Sequence, residues 1–146
     1  AGGYAWDMGV SIGANYTHLT GQAQLGGDAA DPTGDTFSDK IAGYVRWVQP
    51  RTGRFWAEYR IRHNGESDIT LDPGEDPGLI GETLPSFTIH TLAAGVTAFE
   101  NERWAHNFGL VFDNFTNELY AEFSNAFFFR PNPGRSIMGT YRLTFR

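Results

Sequence analysis

Pro131-Asn132-Pro133-Gly134-Arg135-Ser136-Ile137-Met138-Gly139-Thr140-Tyr141-Arg142-Leu143-Thr144-Phe145-Arg146 closes the chain, and the reading of its alternation decides the fold. The first four residues have turn chemistry. After them Ile137, Gly139, Tyr141, Leu143 and Phe145 share one side, and Ser136, Met138, Thr140, Arg142 and Thr144 share the other. A period of two makes a strand with one apolar and one wet face. In a soluble sandwich the apolar face turns inward. In a membrane-spanning barrel it turns outward to lipid, and the polar face lines the lumen.

The composition favours a β architecture. The chain has 146 residues, enough for one domain, with 12 Phe, 6 Tyr, 4 Trp and 18 Gly. Aromatic residues and Gly are enriched together in barrels, where rings form girdles and Gly relieves crowding between strands. No apolar run approaches the roughly 18 residues of a membrane helix, a test that strands of a barrel escape because only half their residues are apolar. The net charge of −6 argues against nucleic-acid binding. With no cysteine there is no disulfide and no thiolate site. The start at Ala1 is read as a processed product or a fragment.

The same alternation runs through the chain. Residues 4–20 read as one long strand, with Tyr4, Trp6, Met8, Val10 and Ile12 on the apolar side. That exceeds the usual strand length of about 5–6 residues and suits a tilted membrane-crossing strand. A polar loop over 21–36 follows. The second strand is expected over 37–49, then a tight turn at 50–53, then a third strand over 54–63. The third sets Phe55, Ala57, Tyr59 and Ile61 against Trp56, Glu58, Arg60 and Arg62. Buried in a small soluble core, that charged row would be costly; facing a watery or plugged lumen it is expected. Residues 64–85 form the longest connection. A fourth strand over 87–99 alternates poorly. After a short turn at 100–103 a fifth strand begins at Trp104, and its parity slips beyond Asn114. Slippage by one residue inverts the faces, so a bulge is expected at 114–117, with a tight turn as the alternative.

These elements make an all-β, antiparallel up-and-down transmembrane barrel of about six strands. Long and short connections alternate strictly, as in outer-membrane barrels, where short turns are periplasmic and long loops extracellular. Trp6, Trp47, Trp56 and Trp104 all fall at the short-turn ends, where an aromatic girdle belongs; Trp56 alone has lumen parity. Six strands cannot close a membrane barrel, which needs about eight, and open edges in lipid leave backbone groups unbonded. The chain therefore reads as the last part of a larger barrel. A rival count makes eight strands, with a hairpin at Asn64-Gly65, a short strand near Ser67–Leu71 and a turn at 114–117.

The sequence Phe108-Gly-Leu-Val-Phe-Asp-Asn-Phe-Thr-Asn-Glu-Leu-Tyr120, then Phe128-Phe-Arg-Pro-Asn-Pro-Gly-Arg135, then a strand ending in Phe145, resembles the C-terminus of TonB-dependent outer-membrane receptors. In that family a Val-x-Asn-Leu-x-Asp-x-x-Tyr segment lies in the penultimate strand and a Pro-Gly-Arg loop leads to the last. The resemblance covers about residues 87–145, the earlier strands matching by pattern alone. It implies a plugged barrel of about 22 strands, placed in the bacterial outer membrane and importing a siderophore, cobalamin, a saccharide or a similar ligand. It implies as partners the remainder of the barrel and its plug, outer-membrane lipid, the barrel-assembly machinery, and TonB through segments outside this sequence. It makes Phe145 the terminal aromatic of the assembly signal, with Arg146 after it as a departure.

Chemistry is sparse. His18, His63, His90 and His106 are scattered over different strands, so no metal or other cofactor is expected. Asp28, Asp31, Asp35, Asp68, Asp72, Glu75 and Asp76 are read as solvated loop charges, without EF-hand spacing. No serine lies in a Gly-x-Ser-x-Gly setting, and no enzyme is expected. Arg46, Arg60, Arg62 and Arg142 share the lumen face with Glu58; a ladder of charges across neighbouring strands is preferred to contact with a plug or an anionic substrate. The Phe127-Phe128-Phe129 run reads as girdle. Lipid contact is assigned to Tyr4, Trp6, Met8, Val10, Ile12, Tyr141 and Leu143. The rival functions are a small stand-alone barrel with a structural or adhesive role and a soluble β-barrel binder.

Overall fold

The computed structural model describes residues 2–18, 22–23, 31–32, 39–68, 83–121 and 131–145. The strands are β1 Gly2–Ala5, β2 Val10–His18, β3 Gln22–Ala23, β4 Asp31–Pro32, β5 Asp39–Val48, β6 Phe55–Asn64, β7 Ser67–Asp68, β8 Thr83–Leu84, β9 Phe87–Glu100, β10 Trp104–Asp113 and β11 Ser136–Phe145. One seven-stranded sheet has the order β1-β2-β5-β6-β9-β10-β11, every neighbouring pair antiparallel. It is an up-and-down meander. The small ladders β3–β4 and β7–β8 lie in the β2–β5 and β6–β9 connections. The sheet is open, with β1 and β11 as its two edges.

The long first strand expected over 4–20 is instead a hairpin, and the sheet has seven strands rather than six. Gly9 takes φ +83°, Trp6 N–H donates to the Val10 carbonyl at 2.7 Å, and Gly9 N–H donates to the Trp6 carbonyl at 3.0 Å. The chain then doubles back, pairing Tyr4 with Ile12 and Ala5 with Ser11. Trp6 and Met8, assigned to a strand face by parity, belong to this turn. The alternation of short and long connections continues through it: the sheet strands are joined by short links at 6–9, 49–54 and 101–103, with longer ones between them.

The bulge expected at 114–117 is replaced by a turn with Asn114 at φ 47° and Asn117 at φ 60°. These are left-handed conformations that Asn tolerates better than most residues. A bulge does occur elsewhere. The β9–β10 register shifts between His106, opposite Phe99, and Asn107, opposite Thr97, so Ala98 is extra. That insertion inverts the parity of β9 near its end and is one cause of its poor alternation. Among the described residues the main sheet has seven strands, not the eight of the rival count: β6 runs through Asn64 and β7 pairs with β8 outside that sheet, residues 69–71 lie outside the described residues, and of that count only the turn at 114–117 is found.

The register gathers apolar side chains onto one face. Ile12, Val45 and Tyr59 form one cross-strand row, and Phe108 pairs with Tyr141. The other face carries Ser11, Arg46 and Glu58 in one row and Asn107 with Arg142 in another. Curvature follows from a cavity of about 690 Å³ on the polar side, lined by Gly3 of β1 and Asp113 of β10 together. In a flat sheet those strands would stand about 24 Å apart, at about 4.8 Å per neighbour. The sheet therefore curls with its polar face inside. What is buried lies there as well: Phe87, Ile89, Ala93 and Ala105 are buried, as are Glu58 and Asn64. Large apolar side chains lie exposed on the convex side, among them Phe55 (50%), Leu110 (55%) and Phe99 (70%).

Candidate functional site

The concave face is the candidate site, and its centre is a carboxylate held between two guanidiniums. Cross-strand pairing sets Arg46 opposite Glu58, and Arg60 lies two residues along the same face of β6. Arg46 Nη1 donates to Glu58 Oε2 at 3.1 Å, and Arg60 Nε donates to Glu58 Oε1. Glu58 is 7% exposed, while both partners are much more exposed and Arg60 lines the cavity. A buried carboxylate is tolerated when both oxygens are engaged in this way. The Arg46 guanidinium also lies 4.8 Å from the centroid of Trp56, a cation–π contact. Trp56 keeps its lumen parity and lies flat against Gly95, where a Cβ would collide with the indole. Tyr44 covers Gly13 in the same manner. Ring over glycine is a known device for fixing register between neighbouring strands.

Arg62 takes a separate role towards the long-connection end. Its guanidinium lies 5.7 Å from the Phe87 ring and 5.9 Å from the Tyr120 ring, which are 4.6 Å from each other. Thr91 Oγ1 donates to Asp113 Oδ1 at 2.5 Å on the same face. Arg142 is not brought to this cluster. It sits on edge strand β11 opposite Asn107, across the sheet from the other three. The arrangement among Arg46, Glu58 and Arg60 is thus the ladder expected from the sequence.

The stretches that carry the family resemblance come together at the root of the β10–β11 connection. Residues 108–113 belong to β10, but 114–120 leave the strand rather than continuing it. Asn114 is fully buried. Its Nδ2 donates to the Glu118 carbonyl and its Oδ1 accepts from Glu118 N–H, both at 2.8 Å. Phe115 packs near the rings of His90 (5.7 Å) and Phe112 (6.1 Å). Asn117 Oδ1 accepts from Arg135 N–H at 3.1 Å, and the Tyr120 carbonyl accepts from Asn132 N–H at 2.8 Å. The residues quoted from 114–120 and from 131–135 therefore build one clamp. Tyr120 packs on Phe87 at the concave face, and Ala121 next to it is buried, which explains why β9 carries apolar residues on both sides.

The convex face holds the strand residues assigned to lipid, Tyr4, Val10, Ile12, Tyr141 and Leu143, while Trp6 and Met8 lie in the 6–9 turn. Tyr4, Met8 and Tyr141 are more than half exposed; Ile12 and Trp6 are exposed; Val10 and Leu143 are half-buried. Trp6 stays with this face by packing edge-on against Tyr4, with centroids 4.8 Å apart. Phe145 is exposed and lies 5.4 Å from Trp104. The four histidines share this face without converging. His18 Nδ1 bonds Asp39 (2.9 Å), His63 bonds Thr88 (2.9 Å), His90 bonds the Tyr59 hydroxyl (2.7 Å) and His106 the Tyr141 hydroxyl (2.8 Å). Among the described residues no cluster of three metal-ligating side chains occurs. Phe127 to Phe129 and the acids Asp28, Asp35, Asp72, Glu75 and Asp76 lie outside the described residues. Parity alone could not reveal the clamp of Asn114 or the Arg62 stack, because both depend on a segment that belongs to no strand. No protein family, curated protein or solved structure was found to match the chain.

Proposed function

We propose that this chain is part of the barrel wall of a TonB-dependent outer-membrane receptor, one that imports a siderophore, cobalamin, a saccharide or a similar ligand. One observation carries the membrane reading: the sheet curls towards its charged face and leaves its apolar face outside. A soluble barrel binder does the reverse. The exposed band has suitable dimensions. Ile137 to Phe145 covers about 27 Å along the strand at about 3.4 Å per residue. Tilted by about 40°, it spans about 20 Å, near the apolar height of about 25 Å in such barrels. Each short link of the sheet has an outward Trp in it or near it: Trp6, then Trp47, then Trp104, while Trp56 packs on the concave face. That supports a girdle at the periplasmic side. The unpaired edges of β1 and β11 call for further wall strands, since lipid offers no hydrogen-bond partners.

The receptor identity rests on the order and spacing of the 108–120 and 128–135 stretches and the terminal Phe145. In this reading the plug and the remaining strands complete the concave site, the assembly machinery reads the last strand, and TonB engages segments elsewhere. The chain has a transport role and no catalytic one.

Two neighbouring substitutions test the orientation. Ile12→Asp puts a charge on the convex face at a cost of about 1–3 kcal/mol against lipid and blocks assembly into the membrane fraction. Ser11→Asp places its charge opposite Arg46 on the concave face and assembles normally. Equal assembly of both variants, judged by resistance of the folded protein to added protease, would overturn the orientation.

A further inference from the structure

One cross-strand row runs around the concave face. Gly3 faces Gly13, Gly13 faces Tyr44, Tyr44 faces Arg60 and Arg60 faces Thr91, whose hydroxyl reaches Asp113. All six residues line the cavity of about 690 Å³. That volume lies within the range of small-molecule sites, about 300–1,000 Å³. Tyr44 supplies a flat wall: its ring lies across Gly13, where no Cβ intervenes, and the residue remains exposed. The cavity also holds unused polar valences. Asp113 accepts from Thr91 through Oδ1 alone, and neither the Tyr44 hydroxyl nor the Asn15 amide makes a hydrogen bond among the described residues. Asn15 lines the cavity one row further on, opposite Ala42, whose small side chain leaves the space open. The cations of the lining are already engaged, Arg60 by Glu58 and Arg62 over the Phe87 and Tyr120 rings.

We infer that this cavity binds a neutral oligosaccharide, with one sugar ring stacked on Tyr44. The inference rests on the receptor reading above and selects one of its ligand classes. The C–H face of a sugar ring is apolar, and laying it on the phenol releases water from both. Sugar hydroxyls each donate and accept. They donate to Asp113 Oδ2 and the Asn15 amide oxygen, and they accept from Asn15 Nδ2 and the Tyr44 hydroxyl. A metal chelate that presents only acceptor oxygens leaves Asp113 facing lone pairs, and an anion is opposed by the same carboxylate.

The test is saturation-transfer NMR on the protein folded in a detergent without a sugar headgroup, with maltotriose, cellotriose and mannotriose as probes. Protease resistance of each sample is scored alongside. At least one trisaccharide is expected to receive saturation at its ring C–H protons. Tyr44→Leu and Asp113→Asn are each expected to weaken that binding about tenfold, the scale of one hydrogen bond to a charged group. Ala42→Phe fills the cavity and is expected to abolish it, while Arg142→Gln, across the sheet, leaves it unchanged. A ferric trihydroxamate chelate is expected not to displace the sugar. With protease-resistant protein, no transfer to any of the three sugars, transfer unaltered by Tyr44→Leu and Ala42→Phe, or displacement by the chelate would overturn the site and leave the barrel reading intact. A parent protein digested throughout would contradict the barrel itself, and the site with it.

Discussion

Asn114→Ala is expected to destabilise the protein by about 3–5 kcal/mol. The side chain is fully buried and bridges both backbone polar groups of Glu118 at 2.8 Å. Its loss leaves an N–H and a carbonyl short of partners, at about 1–3 kcal/mol each for buried groups, less where water reaches them. A further cost of about 1–2 kcal/mol comes from placing Ala at φ 47°. The terms separate by substitution. Asn114→Gly relieves the backbone strain but not the lost bonds, so it recovers about 1–2 kcal/mol. Asn114→Asp keeps the acceptor for Glu118 N–H and turns the donor into a second oxygen facing a carbonyl. Urea unfolding of the membrane-reconstituted protein, followed by Trp fluorescence, measures the series. An Ala variant as stable as the parent would show that the clamp does not hold the β10–β11 connection. The residues that resemble a receptor signature would then need an explanation other than folding.

The second large effect concerns the first turn. Gly9 has φ +83°, and a Cβ there would overlap the Val48 carbonyl oxygen. Gly9 also accepts from Val48 N–H at 2.8 Å, which joins the turn to the end of β5. Gly9→Ala must therefore either take a strained backbone or push β5 away. The expected loss is about 3–4 kcal/mol, combining the left-handed penalty with overpacking. Gly53→Ala is the control: its φ is +63°, but nothing lies within 4 Å of the added Cβ. Its cost should stay near the left-handed penalty alone, about 1–2 kcal/mol. Similar unfolding midpoints for the two variants would mean that residues 6–9 do not turn as described.

That hairpin is also the clearest case of what the sequence left hidden. Tyr4 pairs with Ile12 and Ala5 with Ser11, so partners differ by an even number of positions. Odd residues stay with odd and even with even as the chain reverses. The alternation therefore runs unbroken through the turn and imitates one long strand. In β9 the opposite happened: a real strand was blurred, because Ala98 inverts its parity and Tyr120 covers its polar face. Elsewhere period-two patterning was enough. It placed β5, β6 and β11 and the start of β10 to within a few residues, because their polar sides carry Arg46, Glu58 and Arg60, or Asn107 and Arg142, which cannot be mistaken for core, whereas the continuation of β10 beyond Asn114 was misread as strand. The Arg46–Glu58–Arg60 ladder was legible for the same reason. The separation of Arg62 and Arg142 from it was not, because parity gives the face of a residue and not its neighbours across the sheet.

The exposed apolar face and the concave charged face make one claim about solvent, and the absence of cysteine makes it directly measurable. Asn107→Cys, Phe108→Cys, Gly109→Cys and Leu110→Cys, made one at a time on β10, each give a unique site for a spin label. Collision with oxygen, which concentrates in lipid, is compared with collision with a water-soluble nickel chelate. In reconstituted vesicles the labels at 108 and 110 are expected to be oxygen-accessible, and those at 107 and 109 chelate-accessible, with a period of two. The same period with the faces exchanged, or uniform access to the chelate along the strand, would contradict the outward-facing apolar surface and with it the membrane barrel.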